Sequence, residues 1–215
     1  MNLRIAIPTG RLLNDSWNFI KIFDKKLPEL SQISRKLIFQ GDIFKVFLVK
    51  PLDIPTYVEE RITDLGIVGG DIIKEKESKV VVLKRLNFGY CKMVVASYPH
   101  WEIKEDELIN VSTKYPNITE KYLKERWKGV NFKIVKLNGS VELAPSAKIS
   151  QCIVDLVETG NTLKENGLVI KEILFESSAC LIANEVSFIW NREQILNFLF
   201  NIETLEDDYD KSSKL

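Results

Sequence analysis

Along the chain, short apolar runs alternate with stretches whose apolar residues recur every three or four positions. Runs of the first kind suit buried strands and those of the second suit amphipathic helices. Their alternation predicts an α/β fold with largely parallel sheets. Leu3 to Ile7 is an apolar strand stopped by Pro8-Thr9-Gly10, and Trp17, Ile20 and Phe23 line a helix beginning near Asp15. Ile43 to Val49 is the next strand. Asp53-Ile54-Pro55 reads as an N-cap with proline in the first turn, ahead of Tyr57, Val58 and Ile62. Leu65 to Val68 is a buried-type strand closed by Gly69-Gly70-Asp71. Further strands are expected at Val80 to Leu83, Tyr90 to Ala96, Ile109 to Thr113, Phe132 to Val135 and Ile153 to Val157, with returning strands around Leu174 and Leu181 to Ala183. Asn117 with Glu120 has the spacing of a capping box, Ser140 opens a short helix, and Asn191 with Gln194 heads a last amphipathic helix. The charged tail from Glu206 is expected to fray.

Two passages echo each other: Asp64-Leu65-Gly66-Ile67-Val68-Gly69 and Asp155-Leu156-Val157-Glu158-Thr159-Gly160. Each runs from an acid through an apolar strand to a glycine turn. The echo suggests two similar α/β lobes, each delivering a glycine turn to a cleft between them.

Composition narrows the function classes. The chain has 215 residues, 45% hydrophobic and 28% charged, enough apolar material for a core without disulfides or structural metals. Thirty basic residues balance thirty acidic ones, which excludes a bulk basic footprint for duplex nucleic acid. No run is long enough to span a membrane and no signal peptide is evident, so a cytoplasmic protein is expected. Cys91, Cys152 and Cys180 are far apart, lie in apolar runs, and read as reduced core residues. The single histidine, His100, lies in a turn, which argues against Ser–His–Asp or Cys–His catalysis. Neither a GxxxxGK[ST] phosphate loop nor a GxGxxG fingerprint is present.

The richest chemistry lies in Ile153 to Leu163. A strand bearing Asp155, then Glu158, runs into Thr159-Gly160-Asn161-Thr162 and a helix. Backbone N–H groups and two threonine hydroxyls at such a turn suit a phosphate, while the acids suit ribose hydroxyls or a bound Mg²⁺. The same residues also read as a plain strand-to-helix turn with Thr159 as the cap. Arg11 after Gly10, Arg35-Lys36 before Leu37, and Lys50 before Pro51 each place a cation at the end of an element. Singly these are ordinary surface charges; together they resemble the wall of a polyphosphate pocket.

In order, the motifs resemble those of the ATP phosphoribosyltransferase family in its short form. They are Leu3-Arg4-Ile5-Ala6-Ile7-Pro8 with Gly10-Arg11-Leu12, Ser34-Arg35-Lys36-Leu37-Ile38-Phe39, Asp53 to Glu59, and Asp64 to Gly69. Phe88-Gly89-Tyr90-Cys91, Thr113-Lys114-Tyr115-Pro116-Asn117, Lys136 to Pro145 and Ile153 to Leu168 follow. The resemblance implies a two-lobed fold like the type II periplasmic binding proteins, with the active-site cleft between lobes. One lobe would hold residues 1–88 with 179–205, the other 89–178, leaving 206–215 as the tail. It also implies the reaction. N1 of the ATP adenine attacks C1 of phosphoribosyl pyrophosphate, and pyrophosphate leaves, with Mg²⁺ carried mainly on substrate phosphates and no dedicated protein ligands.

By the same resemblance Asp155, Glu158, Thr159, Gly160, Asn161, Thr162 and Leu163 bind phosphoribosyl pyrophosphate. Gly10, Arg11, Lys50, Gly69 and Asp71 bind ATP, and Arg11 and Arg35 are the catalytic cations. Thr9, Lys50 and Gly70 stand where the family more often has Lys, Arg and Lys, which implies looser ATP binding. A homodimer assembling with a regulatory subunit like histidyl-tRNA synthetase is implied, and a C-terminal regulatory domain is not expected. The competing readings are a two-lobed solute-binding module, which usually carries a signal peptide or a helix-turn-helix, and a type I phosphoribosyltransferase. In the latter the loop acids are usually adjacent, whereas Leu156-Val157 separate Asp155 from Glu158.

Overall fold

A computed structural model describes residues 2–32, 35–104 and 106–212; Ser34 and the last three residues of the tail lie outside that range. In chain order the elements are β1 (Leu3–Pro8), α1 (Leu13–Phe23), β2 (Ile38–Gln40), β3 (Phe44–Val49), α2 (Ile54–Glu59), β4 (Leu65–Gly69), α3 (Gly70–Lys76), β5 (Val81–Arg85) and β6 (Cys91–Ser97). They continue with β7 (Ile109–Thr113), α4 (Pro116–Arg126), β8 (Phe132–Lys136), β9 (Cys152–Val157), α5 (Asn161–Glu165), β10 (Val169–Ser177), β11 (Ala179–Ala183), α6 (Glu185–Trp190) and α7 (Arg192–Ser212).

The chain divides into two compact units. The first comprises Met1–Val68, Lys79–Arg85 and Cys180–Leu215; the second comprises Gly69–Ser78 and Leu86–Ala179. The sequence predicts all of 1–88 in one lobe. The segment Gly69–Ser78 instead goes with the second unit, because α3 packs on α4. The buried Glu75 side chain accepts the N–H groups of Asn117 at 3.1 Å and Ile118 at 3.0 Å.

The sheets are mixed rather than largely parallel. One has the order β2-β3-β1-β4-β11-β5 and the other β10-β6-β9-β7-β8. β1 runs parallel to β3 and β4, and β7 parallel to β8 and β9. β2, β5 and β6 bring antiparallel pairings, β6 lying antiparallel to both β9 and β10. Apolar runs alone cannot distinguish the two arrangements, since both bury a central strand on each face.

In the first unit Ile5, Ile7, Trp17, Ile20, Phe44, Leu65 and Ile67 are fully buried. Phe198 of α7 meets Phe23 and Phe44 edge-on at 4.9 and 5.0 Å, docking the long helix on this core. Gly66 is required here, since a Cβ would come within 2.9 Å of Ile54 and Val58. The second unit has its own core of Val94, Ala96, Val141, Ala144, Ile153, Val157, Leu163 and Leu168. All three cysteines are free and buried.

Three expected caps are built differently. Asp53 makes no side-chain cap, because a 3₁₀ turn over Pro51–Asp53 leads straight into α2. Asn117 lies inside α4, and Glu75 from α3 takes the role of the Asn117/Glu120 box. Asn191 caps nothing with its side chain oxygen; its Nδ2 donates to Ser187 O at the end of α6. That helix was not anticipated. Its own cap is Asn184, whose side chain accepts from Val186 and Ser187 N–H. α7 continues as helix to Ser212, through the stretch expected to fray from Glu206.

Candidate functional site

The second unit gathers three loops at one end of its sheet. β7, β8 and β9 are parallel, with Thr113 paired to Lys136 and to Val154. Lys114, the segment from Leu137, and Glu158-Thr159-Gly160 therefore leave the sheet at the same carboxyl end, where ligands bind in open α/β sheets. Thr113 Oγ1 donates to Val154 O at 2.7 Å and accepts Tyr115 N–H at 2.9 Å, locking the end of β7 to β9.

In the turn after β9, Gly160 occupies the N-cap position of α5 at φ +81, a left-handed conformation that costs other residues about 1–2 kcal/mol. This removes Thr159 from the cap position that the plain-turn reading gave it. Its hydroxyl accepts only a long bond, 3.5 Å, from Asn161 N–H. Thr159, Asn161 and Thr162 are exposed, while Leu163 is buried in the core cluster and anchors the turn from behind. The first i→i−4 bond of α5 runs from Lys164 N–H to Gly160 O, so the N–H groups before Lys164 precede the helical ladder.

Asp155 is the electrostatic centre. Burial pushes its carboxyl up to about 6. The N–H of Leu156, 2.8 Å from Oδ1, and the charge of Lys114 pull the other way, while Glu142 and Asp71 push it further up. Asp71 is itself buried. Its N–H donates to Ser177 Oγ at 3.0 Å, and its carboxylate packs so closely on Gly69 that a Cβ there would lie 2.2 Å from Oδ1. Gly69 thus serves Asp71. Lys114 and Glu142 carry no role in the sequence reading. Both stand in charged positions just after an apolar strand or inside a motif already quoted, and that was the signal available. Among the described residues no three His, Cys, Asp or Glu side chains are grouped so as to hold a metal ion.

The first unit brings its expected cations to one end of its sheet. Pro8 pairs with Val49, so Thr9-Gly10-Arg11 and Lys50 leave adjacent parallel strands together. β2 is antiparallel to β3, with Ile38 paired to Phe47, which carries Arg35 toward the end occupied by Lys50. Gly10 turns the chain at φ +79, and Arg11, Arg35 and Lys50 are exposed. The two passages that echo in sequence are not equivalent. Asp64 precedes β4, Asp155 lies within β9, and Gly69 has extended backbone where Gly160 is left-handed.

A family model described as ATP phosphoribosyltransferase (HisG) matches residues 50–204. The ATP phosphoribosyltransferase of Dictyoglomus thermophilum is 54% identical over 206 residues, 95% of this chain and 98% of that protein.

The chain belongs to the ATP phosphoribosyltransferase family.

The ATP phosphoribosyltransferase of a Thermoanaerobacter species is 44% identical, covering 97% of this chain and 98% of that one. In structure the chain is similar to the ATP phosphoribosyl transferase (HisG:HisZ) complex from Thermotoga maritima. The TM-score is 0.82 at 32% identity, over 96% of this chain and 99% of that chain. The periplasmic aliphatic sulphonate binding protein SsuA from Escherichia coli shares the fold alone, at TM-score 0.58 and 14% identity over 92% of this chain and 70% of that one. The two-unit α/β architecture is therefore that of the type II periplasmic binding proteins. As an ATP phosphoribosyltransferase the chain is a pentosyltransferase, and its reaction opens histidine biosynthesis. No helix among the described residues is long and apolar enough to cross a membrane.

Proposed function

We propose that the turn from Asp155 to Leu163 holds phosphoribosyl pyrophosphate, and that Arg11, Arg35 and Lys50 meet phosphate groups of ATP and of the departing pyrophosphate. The observation that carries this reading is the left-handed Gly160 turn, flanked by exposed hydroxyls and backed by the half-buried Asp155, whose carboxyl is pushed up to about 6. The 5′-phosphate fits the N–H groups and hydroxyls of Thr159 to Thr162. Asp155 and Glu158 face the ribose. Leu163 acts from the core, as the spring that fixes the turn.

The adenine N1 already carries a lone pair, so the chain has to align two polyanions rather than abstract a proton. Arginine forks and a lysine suit the charge that builds on the leaving pyrophosphate. Magnesium fits this donor set as a companion of the substrate phosphates, where it would neutralise charge. ATP binding through Gly10, Arg11, Lys50, Gly69 and Asp71 is part of the proposal, with Asp71 acting from a buried position. Thr9, Lys50 and Gly70 make that binding weaker than in relatives with two more cations and an arginine. The working assembly is a cytoplasmic homodimer joined by a regulatory subunit resembling histidyl-tRNA synthetase. The HisG:HisZ pairing of the Thermotoga maritima relative supports the second subunit.

The test is the absorbance rise of phosphoribosyl-ATP with purified chain, both substrates, Mg²⁺ and pyrophosphatase. Turnover that requires each substrate supports the reading. Silence both alone and with the synthetase-like subunit sinks it.

A further inference from the structure

We infer that Glu75 is a positioning residue for phosphoribosyl pyrophosphate, acting through Lys114. The inference rests on the reading that residues 155–163 hold that substrate.

α4 begins without a side-chain cap of its own, since Tyr115 stands at its N-cap position. Its leading N–H groups are satisfied instead from another helix. Glu75 is buried and spends both carboxylate oxygens on them: Oε1 accepts Asn117 N–H at 3.1 Å, and Oε2 accepts Ile118 N–H at 3.0 Å. Its carbonyl oxygen accepts Asn117 Nδ2 at 2.8 Å. A negative group here also complements the helix dipole. A Ser, Thr or Asp at position 115 would cap the helix locally. The cap imported from α3 adds something a local cap would not: it fixes where the start of α4 lies relative to α3.

That start is the tether of Lys114. On one side Thr113 is bonded to Val154 of β9, and on the other Tyr115 leads into the two residues Glu75 holds. Thr119 Oγ1 reaches back to Tyr115 O at 2.6 Å and tightens the same turn. With Thr113 in register with Val154, Lys114 leaves β7 level with Asp155, and its charge acts on that carboxyl. The same α3 carries Asp71 in its first turn, and the charge of Asp71 reaches Asp155 directly. One seven-residue helix thus acts on Asp155 directly at its start, and at its end through the lysine opposite.

The experiment is a double-mutant cycle of Glu75→Gln, Lys114→Ala and their combination, with KM for each substrate, kcat, and thermal melting. Glu75→Gln keeps the shape but has only one acceptor oxygen for two N–H groups. It is expected to raise KM for phosphoribosyl pyrophosphate about tenfold while KM for ATP stays within about twofold, and Lys114→Ala is expected to do the same or more. The double variant should match Lys114→Ala alone. Asn184→Ala, which uncaps α6 in the first unit, supplies the control: it lowers the melting temperature and moves neither KM. Additive effects in the cycle, or an equal rise in both KM values, overturn the inference. If Glu75→Gln does not fold, Asn117→Asp loosens the same junction from its exposed side and is judged by the same cycle. Calorimetry of wild type with phosphoribosyl pyrophosphate separates the levels. Absence of binding overturns the underlying reading and this inference with it, whereas binding with an additive cycle overturns the inference alone.

Discussion

Asp64 and Asp155 open the two passages that echo in sequence, yet their surroundings treat the same carboxyl in opposite ways. Asp64 accepts Arg4 N–H and Nε at 3.0 Å and Arg4 Nη2 at 2.7 Å. Burial alone would raise its pKa, but the Arg4 bonds outweigh that and hold it below the ordinary range. Asp155 is half-buried and burial acts on it in the same direction, yet the bond given to its oxygens comes from the neighbouring Leu156 N–H, and Glu142 and Asp71 oppose its charge. The lesson is that burial does not set an acid's role; the partners that come with it do. A carboxylate whose needs are met within the fold is scaffold. One kept short of partners is reserved for something else.

The largest expected effect tests that directly. Asp155→Asn should lower kcat/KM for phosphoribosyl pyrophosphate about 10²-fold, the scale of a lost charged hydrogen bond, while raising stability at pH 7 by on the order of 1–3 kcal/mol. Steady-state kinetics beside calorimetric melting checks both signs, and an activity loss accompanied by a lower melting temperature would erase the contrast. Next, Asp64→Asn should cost about 2 kcal/mol, discounted from a fully buried pair because Arg4 is partly exposed. Its kcat/KM should stay within about twofold of wild type in the same assays.

The pH dependence sharpens the comparison further. Asp155 has a raised folded pKa, so it withdraws stability as pH climbs from its unfolded value of about 4 to about 6, and no more above that. The melting advantage of Asp155→Asn should therefore widen between pH 4 and 6.5. Asp64 has a lowered folded pKa. Its contribution is present above about pH 4 and lost as pH falls through the folded value, so the Asp64→Asn deficit should shrink in acid. Parallel melting curves for the two variants across this range would contradict the assignment.

The smallest effect concerns backbone strain. Arg61 and Lys148 both have left-handed backbone, φ +57 and +56, Arg61 three residues before Asp64 and Lys148 seven before Asp155. Replacing either by glycine should stabilise by about 1 kcal/mol. Arg61→Gly is expected to leave kinetics alone, and Lys148→Gly to raise KM for phosphoribosyl pyrophosphate about two- to threefold by loosening the approach to β9. Equal kinetics in the two variants would show that this strain is only structural.

Much of the fold is legible because strands such as β1 and β9 are mostly apolar runs that lead into glycine turns, and the motif order resembles one family. The cations Arg11, Arg35 and Lys50 were legible as ends of elements, and strand register brings them to one end of a sheet. What escaped is of another kind. Glu75 reads as one more helical surface charge, because the N–H groups it caps are 42 and 43 residues away. The same remote bond is why α3 goes with the second unit. α6 is too short to show a periodicity, and Asn184 gives its only signal. The Asp64–Asp155 echo pointed to two α/β units, which the chain has, but a shared pattern of residue types says nothing about where in its strand each acid falls.

Trp190, at the end of α6, is 82% exposed, whereas Trp17 and Trp127 are buried. Indole emission depends on contact with water, so the chain carries its own optical label on one face of the first unit. Added iodide should quench the red-shifted share of the fluorescence, to which Trp190 contributes most and the half-buried Trp101 less, and leave the blue-shifted share from Trp17 and Trp127. Anything that comes to lie on α6 would turn that colour and shield it from the quencher. The occupancy of this face can then be followed in real time, in the unmodified protein, by watching one side chain leave the solvent.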